Sequence, residues 1–125
     1  MVGWRRVCAV IAALSFSLAA TAAVHAAGSF AVGACGAYGY GYDYRKLPDA
    51  RAAAMKQCAG KACKIVGDLR RGCAAMAIDA KHPCGSFGWA IKPHLGKAEN
   101  ISLKRCYQFG GHECVIRAWA CDEKG

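Results

Sequence analysis

The run Cys35-Gly36-Ala37-Tyr38-Gly39-Tyr40-Gly41 returns 49 residues later as Cys84-Gly85-Ser86-Phe87-Gly88-Trp89-Ala90. Aromatic residues hold the same two places and small residues stand between them. The match does not stop there. Leu47, Ala50, Met55, Lys56 and Cys58 recur at an offset of 48 as Leu95, Ala98, Leu103, Lys104 and Cys106. Cys73 matches Cys121, again at 48, and Cys63 matches Cys114 at 51. The chain therefore reads as a duplication, with one repeat over about 29–73 and the second over about 74–122. The larger offset at Cys114 predicts a longer loop after the second helix and a shorter strand behind it.

Each half has the same internal order. Phe30-Ala31-Val32 and Met76-Ala77-Ile78 are short apolar stretches of strand type. Each is followed by a glycine-containing turn and a run in which large and small residues alternate, so the two runs form a hairpin. Leu47-Pro48-Asp49 opens a helix, because proline fits the first turn and an acid favours the positive end of the helix dipole. Its apolar stripe is Leu47, Ala50, Ala54, Met55 and Cys58, and Gly60 stands where a C-terminal cap belongs. The second helix runs from about Gly96 to Tyr107, ahead of Gly110-Gly111, with the stripe Leu95, Ala98, Ser102, Leu103 and Cys106. Ile65-Val66 and Val115-Ile116 begin the third strands. Strand, strand, helix, strand, twice over, implies an α+β fold with a mostly antiparallel sheet and two helices packed on it.

Length and composition agree with one small duplicated domain: 125 residues, 9 Cys, Lys+Arg 17 against Asp+Glu 8, 55% apolar. They exclude multidomain enzymes and collagen-like chains. Residues 1–26 place Arg5 and Arg6 before an apolar Val7 to Ala23 run, then the small-residue end Val24-His25-Ala26. This is the pattern of a cleaved secretory leader, cut after Ala26, and the run is too short and too rich in alanine for a retained anchor. The residues after Arg5-Arg6 do not complete a twin-arginine motif. Cys8 leaves with the leader, which predicts a secreted or periplasmic product with no membrane span and eight cysteines.

Eight cysteines in an exported chain of this size read as a disulfide framework rather than a metal site; no Cys-x2-Cys occurs. Of the 105 pairings that eight cysteines allow, those that survive exchange of the halves are favoured. Among them we favour local bridges Cys58 to Cys63 and Cys106 to Cys114. Cys73 to Cys121 and Cys35 to Cys84 then span the halves. The longer loops closed by the spanning pairs contribute most under a chain-entropy account.

The run Cys58-Ala59-Gly60-Lys61-Ala62-Cys63-Lys64-Ile65-Val66, the stretch Arg70-Arg71-Gly72-Cys73-Ala74-Ala75-Met76-Ala77, and the closing Ala118-Trp119-Ala120-Cys121 resemble the bacterial secreted "domain of unknown function 4189" family. The aromatic-glycine strand Tyr38 to Tyr44 and the alanine-rich Pro48 to Cys58 match it as well, so the resemblance covers nearly all of 29–122. It implies a small exported α+β domain with no assigned catalytic residue or cofactor. Cys35 and Cys84 depart from the usual pattern, since the family's first hairpin turn does not generally carry cysteine.

Residues able to carry chemistry are few. Cys84-Gly85-Ser86 echoes the opening of a thiol-protease motif, but Phe87-Gly88 follow and Cys35-Gly36-Ala37 repeats it as a turn. His82, His94 and His112 sit in turns near only Asp79 and Glu113, without convergent partners. No GxSxG, phosphate loop or dinucleotide fingerprint occurs, and we assign no catalytic residue, metal or cofactor.

Tyr38, Tyr40, Tyr42 and Tyr44 fall at period 2 and share one strand face, with Gly39 and Gly41 opposite and Arg45-Lys46 following. The face is expected to lie under the helices, with a stacking platform as the alternative. Cations gather at Lys61 and Lys64, Arg70-Arg71, and Lys104-Arg105 with Arg117. Without the leader the balance is 15 Lys+Arg against 8 Asp+Glu, which attracts anionic surfaces without recognising a nucleic-acid sequence. The candidate binding surface is Arg70, Arg71, Lys104, Arg105, Arg117, Tyr40, Tyr42 and Tyr44. The expected function is that of a non-enzymatic exported interaction module for a protein or anionic surface partner. A small secreted hydrolase, or an inhibitor of a secreted enzyme, is the alternative; positive charge disfavours an inhibitor of basic cell-wall hydrolases.

Overall fold

A computed structural model describes residues 26–60 and 62–122. Residues 1–25, which carry most of the leader pattern with Arg5, Arg6, Cys8 and His25, and the basic residue Lys61 lie outside the described residues. Two units follow one another. The first comprises β1 (Ala27–Val32), β2 (Tyr38–Tyr44), α1 (Leu47–Cys58) and β3 (Lys64–Leu69). The second comprises β4 (Gly72–Asp79), β5 (Phe87–Lys92), α2 (Leu95–Gln108) and β6 (Cys114–Asp122). The strands form two antiparallel three-stranded sheets, ordered β2-β1-β3 and β5-β4-β6, rather than one. Among the described residues no helix is long and apolar enough to cross a membrane.

The main core holds Phe30, Val32 and Leu69 of the first unit with Ala74, Met76, Ile78 and Ala120 of the second. The sheets therefore face each other, and the helices lie outside them. Under α1, Ala31, Ala54 and Cys58 form a smaller cluster; under α2 its counterpart is Ala77, Cys106 and Cys114. The order across the molecule is helix, sheet, sheet, helix. At one seam β2 runs beside β6; at the other, Gly67 of β3 meets Ile91 of β5. Exchanging the units exchanges the seams.

Close approach of helix to sheet explains the alternation of aromatic and small residues. Ala50, Ala54 and Cys58 recur every fourth residue on α1 and are buried, and they present almost no side chain to the sheet. A Cβ on Gly41 would lie 2.5 Å from the carbonyl oxygen of Ala50, and one on Gly39 would overlap that of Ala54. Gly88 stands in the same relation to Ser102 and Cys106 of α2. The helices thus cover the glycine faces, and the tyrosine face turns toward the opposite sheet: the expected burial under the helices is reversed. Tyr38, Tyr40, Phe87, Trp89 and Ile91 pack against the intersheet core.

Local details depart from the sequence reading in three places. Met55 is 39% exposed, because α1 rests on its alanines and Met55 falls beside that stripe. Ala59, at φ 39°, is the left-handed cap of α1, and its N–H donates to Met55. Gly60 follows it and is required by the close approach of Ala37. The loop before β6 is longer, but β6 (9 residues) is longer than β3 (6 residues), not shorter.

The bridges are Cys35–Cys84, Cys58–Cys63, Cys73–Cys121 and Cys106–Cys114. Cys58–Cys63 and Cys106–Cys114 tie each helix end to its next strand, and Cys35–Cys84 joins the two units. Cys73–Cys121 does not span the halves. Cys73 faces Cys121 directly across the β4–β6 ladder of the second sheet. A division after residue 73 also falls inside β4, whereas the chain passes between units at Arg70 and Arg71.

Candidate functional site

Comparing the two seams locates the site, because the fold gives each the same backbone frame. The β3–β5 seam opens onto a shallow cleft lined by Asp68, Arg70, Ile91 and Lys92. The β2–β6 seam carries a cleft of about 500 Å³ lined by Tyr40, Tyr42, Asp43, Trp119 and Asp122. The first presents aliphatic and charged groups, the second aromatic rings and the Asp43 carboxylate, with Asp122 buried in its lining. Tyr42 is 50% and Trp119 54% exposed.

The rings are held in line by the strand. Tyr38, Tyr40 and Tyr42 form a parallel ladder, with centroids 6.5 and 5.8 Å apart and planes inclined by 11° and 18°. It begins inside the intersheet core and ends in solvent. The guanidinium of Arg117 lies 5.4 Å from the Tyr38 centroid, and its Nε donates to the Gly36 carbonyl. Arg117 is the extra residue of a bulge in β6 opposite Met76 and Ala77, and Val66 is the extra residue of the same bulge in β3. One unit fills the position with an aliphatic side chain and the other with a cation.

A second bulge has no counterpart. Ala27 pairs with Tyr44 and Ser29 with Gly41, so Gly28 alone faces both Tyr42 and Asp43. The β4–β5 ladder is regular throughout. Asp43 adopts φ 62°, a left-handed conformation that aspartate tolerates better than most residues with a Cβ. Bulges turn side chains away from the regular alternation and recur beside functional sites. Here the bulge lies where the tyrosine ladder leaves the core.

The remaining candidates are dispersed. Tyr44 does not share the face of the other tyrosines: past the bulge it pairs with Ala27 and falls on the side of Gly39 and Gly41, 38% exposed and beyond the cleft lining. Arg70 borders the opposite seam, and Arg71, at φ 47°, forms the turn between units. Lys104 is exposed on α2. Arg105 donates to the Trp89 carbonyl and lies 5.7 Å from the Trp89 ring centroid. With Phe87 and Phe109 these residues line a cleft of about 590 Å³ at the C-terminal end of α2, where Phe109 is 71% exposed. The structure thus brings together Tyr40 and Tyr42 but does not join all eight residues in one surface. Sequence reasoning missed Asp43, Asp122 and Phe109 and treated Trp119 only as a family motif. Its alternation with Arg117 along the last strand is the signal that marks it.

His82, His94 and His112 are exposed. Asp79 is buried and fastens the loops of His82 and His112: its carboxylate accepts the backbone N–H groups of His112 at 3.1 Å and Lys81 at 2.9 Å. The N–H of His112, helped by those of Lys81 and His82 and opposed by burial, holds this carboxyl below the usual range. Among the described residues no group of three or more Cys, His, Asp or Glu is placed to hold a metal ion.

A solution structure of Rv1813c from Mycobacterium tuberculosis shares the fold, with 20% sequence identity, a TM-score of 0.54 and coverage of 98% of this chain and 99% of that one. No curated protein matches the chain. The family described as "Domain of unknown function (DUF4189)" matches residues 27–121. The duplicated, four-bridged chain belongs to that family.

Proposed function

We propose that the protein is an exported, disulfide-clamped binding module without catalytic chemistry, which engages a macromolecule or an anionic surface outside the cytoplasm. The observation that carries this reading is the position of Tyr42, Trp119 and Phe109: each is at least half exposed and stands beside an open cleft on a cross-linked scaffold. Aromatic side chains supply most of the binding energy where they contact a partner, and a rigid scaffold reduces the entropy lost on binding. Four disulfides belong with an oxidising compartment and with the leader pattern of residues 1–26. The excess of Lys and Arg adds long-range attraction to anionic surfaces.

The test is a pull-down from cell-envelope fractions with the oxidised protein at about 0.1 M and about 1 M salt, which reduces the screening length from about 10 Å to about 3 Å. The reading predicts a partner retained at both and lost on Trp119→Ala or Phe109→Ala. Capture that disappears at the higher salt, or that ignores both substitutions, contradicts it.

A further inference from the structure

We infer that the β2–β6 cleft is a saccharide site, in which a neutral pyranose stacks on Tyr42 and Trp119 and donates hydroxyl hydrogen bonds to Asp43; this deepens the binding-module reading and rests on it. Three independent features converge on the seam. Two large aromatics, Tyr42 and Trp119, are half exposed and stand together on one cleft, whereas a singly exposed ring such as Tyr107 needs no ligand to explain it. The bulge at Tyr42 and Asp43 interrupts the ladder in this unit alone. The equivalent seam carries Asp68, Arg70 and Lys92 in place of rings.

Charge selects the class of ligand. Rings stacked on one strand suit any flat apolar face, nucleobases included. Asp43 is exposed in this cleft, with Asp122 almost fully buried in its lining, and the Asp43 carboxylate repels the phosphates of a nucleic acid or lipid headgroup. Arg117 is already engaged with Tyr38 and Gly36. A ring with an apolar C–H face and a rim of O–H donors satisfies both walls, since a carboxylate is a strong hydrogen-bond acceptor.

The test is a titration of the oxidised, isotopically labelled protein, followed by amide and indole NMR signals. The probes are soluble tetrasaccharides of β-1,4-linked glucose and of β-1,4-linked N-acetylglucosamine, with tetramethylammonium chloride and oligothymidine in parallel. The inference predicts that at least one tetrasaccharide shifts signals confined to Tyr40, Tyr42, Asp43 and Trp119. Trp119→Ala and Tyr42→Ala should each weaken this binding about tenfold, near 1.4 kcal/mol, and Tyr107→Ala should leave it unchanged. Both cleft residues are half exposed, so retained spectral dispersion shows whether the variants fold.

Silence from both tetrasaccharides, shifts that survive Trp119→Ala, or a response to tetramethylammonium or oligothymidine alone overturns it. A retained envelope partner with no sugar response removes the saccharide site and leaves the binding-module reading. Sugar binding followed by cleavage of the tetrasaccharide removes the non-catalytic reading and leaves the site.

Discussion

A methyl group added at Gly39 would overlap the carbonyl oxygen of Ala54, an atom of helix backbone that cannot rotate away. Gly39→Ala should therefore destabilise the protein by about 3 kcal/mol, since overpacking here moves a helix rather than a side chain. Gly96 is the internal control: it lies on α2 with nothing within 4 Å of its added Cβ. Gly96→Ala should be neutral or stabilise by up to about 1 kcal/mol. Denaturant unfolding of the two variants checks both values. At Asp79 the expectation concerns pH. Its folded-state pKa is depressed, so its contribution is present above about pH 4, the ordinary aspartate value, and is lost as pH falls through the lower folded value. Asp79→Asn replaces one accepting oxygen with an NH2 facing a backbone N–H. Thermal unfolding should show it less stable than the parent at pH 7, with the gap closing as pH falls below 4.

At the scale of elements, the strands and helices were legible because alternation and fourth-residue spacing both repeat across the halves. Which face of β2 the helix would cover was not legible. Period 2 sorts tyrosines from glycines but does not say which set meets a helix and which a second sheet. The close approach of an alanine-striped helix decides it, as the contacts of Gly39, Gly41 and Gly88 show. The β2 bulge was hidden for a related reason: Asp43 continues the strand composition, and only the pairing register reveals the extra residue. Its left-handed backbone makes a sharp prediction. Asp43→Val should be about 1 to 2 kcal/mol less stable than Asp43→Gly, since both lose the carboxylate and only valine puts a branched Cβ at positive φ. Urea unfolding of the pair measures the difference.

For the whole molecule, duplication determines the layered architecture, and differences between the copies determine where binding is sought. The equal offset of Cys73 and Cys121 suggested equivalent positions in two repeats. They are instead facing positions in one sheet, a relation that offset alone cannot distinguish from repetition. Half of the aromatic cleft was legible, since Tyr40 and Tyr42 stand in one conspicuous run; Trp119 and Asp122 reach it only through the stacking of β6 beside β2.

Cys35–Cys84 is the covalent tie between units. In a chain-entropy account its 49-residue separation contributes about 4 kcal/mol, against about 2 kcal/mol for the 5-residue separation of Cys58–Cys63. The most direct measurement is peptide mapping of the protein isolated from its native cells by mass spectrometry without reductant. The account predicts a product beginning at Ala27 whose only linked peptides join Cys35 with Cys84, Cys58 with Cys63, Cys73 with Cys121 and Cys106 with Cys114. Free thiols at these positions, or Cys35 linked to any cysteine other than Cys84, would contradict it.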